Sequence, residues 1–447
     1  MIYKSIGELC DIKKGETGIM KSVAGEYPLV TTGPTRKSCN TYQFDTEAVC
    51  IPLVSSTGHG HKSLNYVHYQ SGKFALGTIL AAVIPRNKAE LSAEYLQRYL
   101  FFFKDQKIVT LMSGAANVTL SIKNIAKIEV PVPPLDEQKD FIKLFGNIET
   151  HSLHLQAEFY NQSSYLTQLR QAILQEAIEG KLTVDWRKEN PVIKGDPDFD
   201  AEALLEKIKI EKEKLIAEGK IKKQKVLAPI KQEKVPFELP EGWVWTRLGE
   251  ITDLITKGSS PSWQGIQYVE NDIGIRFITS KNVGSYSLDF SKETFVEKRF
   301  NEIQPRSTLL KGDILTNIVG ASIGRTALYD IDDLANINQA VCILRYTHNH
   351  ILKLFFLHWM NSKWLIDKMH QDEFSPGRAN LSMGNISNFP IPLPSFAEQN
   401  AIVERVSRLL AMVDHLEKQV SERKEQADML MQAVLKEAFD GGHNVGK

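Results

Sequence analysis

The strongest constraint on this chain is that part of it is written twice. Leu120-Ser121-x-x-Asn124-Ile125, Pro131-Val132-Pro133 and Glu137-Gln138 return as Leu381-Ser382-x-x-Asn385-Ile386, Pro392-Leu393-Pro394 and Glu398-Gln399. The offset is 261 throughout and runs ungapped into Leu169-x-Gln171-Ala172 and Leu430-x-Gln432-Ala433, with Gly180 falling on Gly441. The openings also match: Ile6-Gly7-Glu8-Leu9 corresponds to Leu248-Gly249-Glu250-Ile251 at an offset of 242. The difference between 261 and 242 places 19 extra residues inside the second copy. Such long self-similarity implies one scaffold used twice, with a variable middle in each copy.

The ungapped ends have helical periodicity. Phe141, Phe145, Ile148, Leu155, Phe159, Leu166, Leu169 and Ile173 step mostly by three and four, as do Ile402, Val406, Leu409, Val413, Leu416, Val420, Ala427, Leu430 and Val434. Gln162 and Arg423 interrupt the two seams. A continuous helix from Glu137 to Glu179 would reach roughly 65 Å. Prolines stand before each helix, and Gly180 and Gly441–Gly442 are candidate stops. Two similar seams in one chain are most simply buried against each other; two amphipathic helices in separate cores are the alternative.

The middles read as mixed α/β. Strands are expected at Tyr27–Val30, Ala48–Val54 and Thr78–Ile84, with a helix near Ser92–Lys104. In the second copy they are expected at Arg276–Thr279, Asp313–Ile318, Ala327–Tyr329 and Ala340–Tyr346, with a helix near Ile351–His370. Between the copies, Ala201–Lys223 is a charged helix candidate with Leu204, Leu205, Ile208, Leu215 and Ile216 on a narrow stripe. This lysine-rich stretch is open to two readings, a phosphate-facing arm or a solvated linker helix.

Several functional classes are excluded or disfavoured. No apolar run is long enough to span a membrane, and the start lacks a signal-peptide core, so a cytoplasmic protein is expected. Four cysteines without a C-x-x-C pair argue against a disulfide scaffold or zinc ribbon. There is no phosphate-binding loop, dinucleotide fingerprint, H-E-x-x-H or G-x-S-x-G. His59 and His61 lack a third ligand for a metal, and no catalytic, cofactor or metal residue is expected in this chain.

What the middles do offer is polar loops. In the first they hold Lys14, Thr17, Thr32, Arg36, Lys37, Ser55, Thr57, His59, His61, Lys62 and Asn117. In the second they hold Lys257, Ser259, Ser260, Ser262, Trp263, Gln264, Ser280, Lys281, Asn282, Arg325, Asn338, Gln339, Arg378 and Asn380. Cations suit phosphates, while amides, hydroxyls and guanidinium groups suit base edges, so these residues are the DNA-binding candidates. Any one loop alone reads as a surface turn. Net charge is zero, with 54 basic and 54 acidic residues, which excludes a simple polycation but not a localised DNA surface.

Taken together, the two Pro-x-Pro…Glu-Gln hinges leading into long helices resemble the specificity subunit of type I restriction–modification enzymes. So do Gly180-Lys181-Leu182-Thr183-x-x-Trp186-Arg187 and the lysine-rich Glu211–Lys225. Pro236-x-x-Leu239-Pro240-Glu241-Gly242-Trp243-x-Trp245, which opens the second copy, completes the set. The resemblance implies an α+β chain of two mixed α/β target-recognition domains, separated by two long antiparallel helices that form an intramolecular coiled coil with pseudo-two-fold symmetry. Its expected parts are recognition domains at 1–135 and 241–395, long helices at 136–180 and 396–440, a linker at 181–240 and a tail at 441–447. It also implies a non-catalytic subunit that binds double-stranded DNA at an asymmetric split target, the helices setting the gap. Two methyltransferase subunits using S-adenosylmethionine are the implied partners and, where the host carries them, two restriction subunits using ATP and Mg.

Three other readings compete with that one. They are a free-standing DNA-binding scaffold or regulator, an enzyme with an unrecognised site, and a coiled-coil adaptor. Methylation or cleavage by the pure chain would favour the second, and DNA binding without sequence preference the third.

Overall fold

Alternation of side chains along a few short strands decides how each copy folds. In the computed structural model, which describes residues 2–57, 60–230, 235–371 and 380–440, the chain forms two compact units. One comprises 1–161 with 421–447, the other 162–420. The expected loop residues His59 and Arg378, and the glycines at 441–442, lie outside the described residues.

In the first unit Cys10–Lys14, Leu80–Pro85, Ala48–Pro52 and His68–Gln70 form an antiparallel sheet in that order. Its central strands are apolar on both faces. Val49, Ile51, Ala81 and Val83 face a core with Tyr95, Leu96 and Leu100 of the helix Ala93–Phe102. Ala48, Cys50, Leu80 and Ala82 face Val30, Phe44, Phe74 and Leu76 of a second sheet. Residue parity sends neighbours to opposite sides, so one apolar run serves two cores. The second sheet runs Lys37–Cys39, Tyr27–Val30, Lys73–Leu76, Phe44–Asp45, with its two middle strands parallel.

The second unit repeats this plan. Leu254–Lys257, Val341–Arg345, Asp313–Asn317 and Thr326–Tyr329 form the antiparallel sheet. Ile314 and Leu344 face the helical core, while Leu315 and Ile343 face the other sheet. There Gly274–Ile278 runs parallel to Ala335–Ile337, as Tyr27–Val30 does to Lys73–Leu76. Matching the ladders shows where the copies diverge. The central strand keeps the offset of 261, with Val83 standing where Leu344 stands. Their partners Val49 and Ile314 are 265 apart, whereas Lys14 and Lys257 are 243 apart. The added chain therefore lies between the first and third strands of the ladder order by sequence, where the second unit gains the strand Tyr268–Val269 and the helix Arg299–Ile303.

The long helices are Leu135–Ile178 and Phe396–Asp440. Each is pinned at its start by the repeated glutamine. Gln138 accepts from Ser92 N (2.8 Å) and donates to Glu90 O and Pro133 O (both 2.8 Å). Gln399 accepts from Leu352 N (3.0 Å) and donates to His350 O (3.2 Å) and Pro394 O (3.3 Å). Both amides are fully buried, which makes their hydrogen bonds obligatory.

Within each unit the two helices pack together. In the first, Phe439 meets Phe141 at 4.0 Å between ring centroids and is ringed by Tyr99, Phe102 and Phe103. In the second, Leu166 and Ile173 share a core with Ile402, Val406 and Val413, and Arg170 binds Asp414 and Glu417. Arg405 donates to Leu182 O, so as one segment of this pair advances the other recedes: the pairing is antiparallel. The seam is not buried throughout, since Leu155 is 40% and Leu430 65% exposed.

Two helices end earlier than their patterns suggest. The linker helix spans Ala201–Ala217 rather than reaching Lys223, because Gly219 takes φ +70° and closes it with Gly219 N to Ile216 O and Lys220 N to Leu215 O. The expected helix Ile351–His370 is two, Lys353–Met360 and Lys363–Gln371. Asn361 and Ser362 stand at the break, their side chains bonding Leu357 O and Trp359 O in competition with the helix. The lysine-rich helix is not solvated along its whole length. Leu204 and Ile208 enter the second unit's core. Lys212 is half-buried and donates to Gly249 O (2.6 Å) and Thr252 O (2.7 Å).

Candidate nucleic-acid interface

Strand direction gathers the candidate loops at one end of each unit. Cys10–Lys14 and Ala48–Pro52 both run antiparallel to Leu80–Pro85, so the loops that follow them leave the same edge. The parallel pair Tyr27–Val30 and Lys73–Leu76 likewise releases its loops together. The two sheets join there: Thr17 N donates to Leu76 O (3.0 Å), Gly77 N to Val30 O (3.0 Å) and Gly15 N to Leu80 O (3.0 Å). In the second unit Gly258 N reaches Val341 O (3.4 Å) and Asn338 N reaches Ile278 O (2.9 Å). Gly15 and Gly258 hold equivalent places, and a Cβ on either would strike a carbonyl, Gly77 O or Ile337 O respectively.

The gathered side chains fall into two groups. Lys14, Lys37, His61, Lys62 and Asn117 are exposed in the first unit, and Lys257, Ser262, Trp263, Lys281, Arg325, Gln339 and Asn380 in the second. Thr17, Thr32, Ser259, Ser260, Gln264, Ser280 and Asn338 are half-buried. Several of these polar groups shape the loops. Ser55 Oγ donates to His61 O (2.6 Å) and Thr57 shares a 2.8 Å bond with Ser63, closing the loop whose tip is His61–Lys62. Gln264 donates to Ser259 Oγ (3.2 Å), and Asn338 accepts from Ala340 N (3.0 Å).

Two expected readers are committed inward. Asn282 is 3% exposed; it donates to Asp289 O (3.0 Å) and Lys292 O (3.2 Å) and accepts from Thr279 N and Oγ1 (both 2.9 Å). Its amide is filled by its own loop, so it supports neighbouring Lys281 and does not present a free edge. Arg36 donates to Gln70 Oε1 (2.9 Å), Tyr69 O (3.1 Å) and His68 Nδ1 (3.2 Å). That contact requires a neutral His68, and burial together with the Arg36 charge holds its pKa down to about 4.

Sequence reasoning missed Asn317, which is fully buried and donates to Ser280 O (2.9 Å) and Val283 O (3.2 Å). An amide at the end of the strand Asp313–Asn317 was the available signal. No group of three or more His, Cys, Asp or Glu side chains that could hold a metal occurs among the described residues. All four thiols are buried, and burial pushes Cys10 and Cys50 up to about 12, away from nucleophilic use. No helix among the described residues is long and apolar enough to cross a membrane.

Two copies of one loop-bearing plan, each feeding a long helix, match a known family model. The "Type I restriction modification DNA specificity domain" covers residues 2–161 and again 240–425. The chain belongs to this family of type I specificity subunits. As a specificity subunit it is a DNA-recognition component, not a catalytic one. Among curated relatives, the Escherichia coli "Type I restriction enzyme EcoBI specificity subunit" is 26% identical over 353 residues, covering 78% of this chain and 66% of that one. The E. coli EcoDI specificity subunit is 23% identical over 440 residues, covering 97% and 87%. Solved structures share the fold. A chain from "Structural basis underlying complex assembly and conformational transition of the type I R-M system" matches with TM-score 0.60 at 16% identity, over 98% of this chain and 97% of that one. The HsdS subunit of Thermoanaerobacter tengcongensis matches with TM-score 0.50 at 16% identity, over 98% and 96%.

Proposed function

We propose that this specificity subunit reads an asymmetric, split DNA target, one half per recognition domain, with the long helix pair setting the gap between halves. The observation that carries this reading is the pairing of shared ladders with unlike loops. The antiparallel sheets of the two units have the same order and parity and the parallel strand pair recurs beside each, while the edge strands of the second sheets and the loops differ in length and sequence. Equal scaffolds give equivalent approaches to a duplex; unequal loops give different base contacts.

Its partners are double-stranded DNA, two methyltransferase subunits and, where the host supplies them, two restriction subunits. The relatives' description as subunits of restriction enzymes supports that assembly. S-adenosylmethionine, ATP and Mg belong to those partners and none to this chain, and the complex works in the cytoplasm. Within the chain, Lys14, Lys37, Lys62, Lys257, Lys281 and Arg325 serve the phosphates. Thr17, Thr32, His61, Asn117, Ser262, Gln339 and Asn380 face the bases or sugars. Ser55, Thr57, Ser259, Ser260, Gln264, Ser280 and Asn338 keep the loops in shape. The test is co-purification with methyltransferase subunits followed by mapping of methylated adenines. A split target methylated only when the chain is present supports the reading; absence of any such partner favours a free-standing scaffold.

A further inference from the structure

The glycines Gly15 and Gly258 close the same ladder position, so the loops that follow them leave from a common point in both copies. Five residues on stand Met20 and Trp263. Met20 is 97% exposed, the most exposed large apolar side chain among the described residues. Trp263 is 76% exposed, whereas the other five tryptophans are buried or half-buried. Single exposed apolar residues are common on proteins. A methionine and a tryptophan this exposed at the same count from a shared glycine, each in a hydrogen-bonded turn, are not a scatter.

Both turns are built to hold the tip still. Around Met20, Lys21 N donates to Gly18 O (3.0 Å) and Ser22 Oγ to Ile19 O (3.2 Å). Around Trp263, the one-turn helix Pro261–Gln264 is closed by Gly265 at φ +67°, and Ile266 N returns to Pro261 O (3.0 Å). Pro261 is buried, and Ile266 anchors in a core with Phe277 and Phe300. The turns also carry positive charge. Lys21 follows Met20, and Arg299, half-exposed and paired with Glu297 (3.6 Å), donates to Gly265 O (3.2 Å) beside Trp263. A rigid apolar tip beside cations suits a polyanion with an apolar interior, which is the composition of a duplex.

We infer that Met20 and Trp263 are matched apolar wedges, each pressing onto a base step of the half-site read by its own unit. The inference rests on the DNA-reading proposal above and adds a class of readout to it. A wedge selects for the ease with which a step unstacks, highest at pyrimidine–purine steps, and not for a hydrogen-bonding edge. The two half-sites then differ at this point, because an indole and a thioether differ in breadth and stiffness.

The experiment uses the full chain purified with its methyltransferase subunits, a duplex carrying the sequence methylated in the host, and a scrambled duplex. Trp263→Ala is expected to weaken binding to the first duplex about tenfold or more, as loss of an aromatic stacking partner does. The salt dependence stays unchanged, because no phosphate contact is lost. Trp263→Phe retains most of the affinity, and the substitutions leave co-purification intact. Methylation mapping of Met20→Ala and Trp263→Ala relaxes one step each, in opposite halves of the target. Wild-type discrimination with Trp263→Ala binding within twofold overturns the wedge alone. Loss of the methyltransferase subunits from Trp263→Ala overturns it in favour of a protein-docking tip. Failure of the wild type to discriminate the two duplexes overturns both proposals.

Discussion

The repeated hinge offers a quantitative comparison inside one chain. Glu398 and Glu137 occupy the same repeat position, one residue before the buried glutamine, yet their surroundings differ. Glu398 is 4% exposed at its side chain and pairs with Arg187, itself 19% exposed. It also accepts from Thr183 Oγ1 (2.7 Å) and Trp243 Nε1 (2.6 Å). Glu137 is exposed. Removing the carboxylate in Glu398→Ala leaves a half-buried guanidinium, still bonded to Gly180 O and Thr183 Oγ1, without its counter-charge and a buried indole N–H without its acceptor. Breaking a buried pair from one side costs about 3–5 kcal/mol. In a domain of this size each kcal/mol moves the melting point by roughly 2–4 °C, so a fall of roughly 6–20 °C is expected for the second unit. Glu137→Ala, a surface change, is expected to stay within about 0.5 kcal/mol. Differential scanning calorimetry with tryptophan fluorescence assigns the transition, since Trp243 belongs to the affected network. Adding Arg187→Met to Glu398→Ala restores part of the loss, because no uncompensated charge remains. Equal effects at Glu137 and Glu398, or no recovery in the double variant, would refute the reasoning.

Other expectations follow from single sites. Phe439→Ala removes the ring at the centre of an aromatic cluster and is expected to destabilise the first unit by about 3–5 kcal/mol, measured as a lower urea midpoint. His68 is neutral in the fold with its pKa lowered to about 4 from 6.5, so the unfolded chain binds the extra proton between those values. Its contribution is complete above pH 6.5 and is lost as pH falls toward 4, with a slope of about 1.4 kcal/mol per pH unit within that window. Melting curves against pH check this, and His68→Asn is expected to flatten them by one proton. Lys62→Ala and Lys281→Ala are expected to weaken DNA binding across sequences and lower the salt slope by about one each, whereas Asn282→Ala disrupts its loop and costs about 1–3 kcal/mol of stability.

The duplicated scaffold was legible because its marks are local. Strands such as Ala48–Pro52 and Leu80–Pro85 are apolar on consecutive positions, and the long helices repeat an apolar step over more than forty residues. Short edge strands such as Tyr3–Ser5 and His68–Gln70 were not, since three residues carry too little pattern and pairing supplies the rest. The repeated glutamines were visible as letters, but their partners Ser92 and His350 are more than forty residues away. The same limit governs the site. Lys62 and Lys281 are exposed, whereas Asn282 and Arg36 have the chemistry of base readers and are occupied by groups that only the fold brings near. The lysine-rich helix shows the reverse case: Lys212 looks like one charge among many, yet its ammonium meets carbonyls of Gly249 and Thr252.

The most direct test of a split reader is to exchange one recognition domain and keep the helices. Residues 241–395 are replaced by the corresponding segment of another specificity subunit, and methylated adenines are mapped genome-wide in cells carrying the methyltransferase subunits. One half of the methylated sequence is predicted to change while the other half and the gap are retained. Change in both halves, or in neither, would contradict the account.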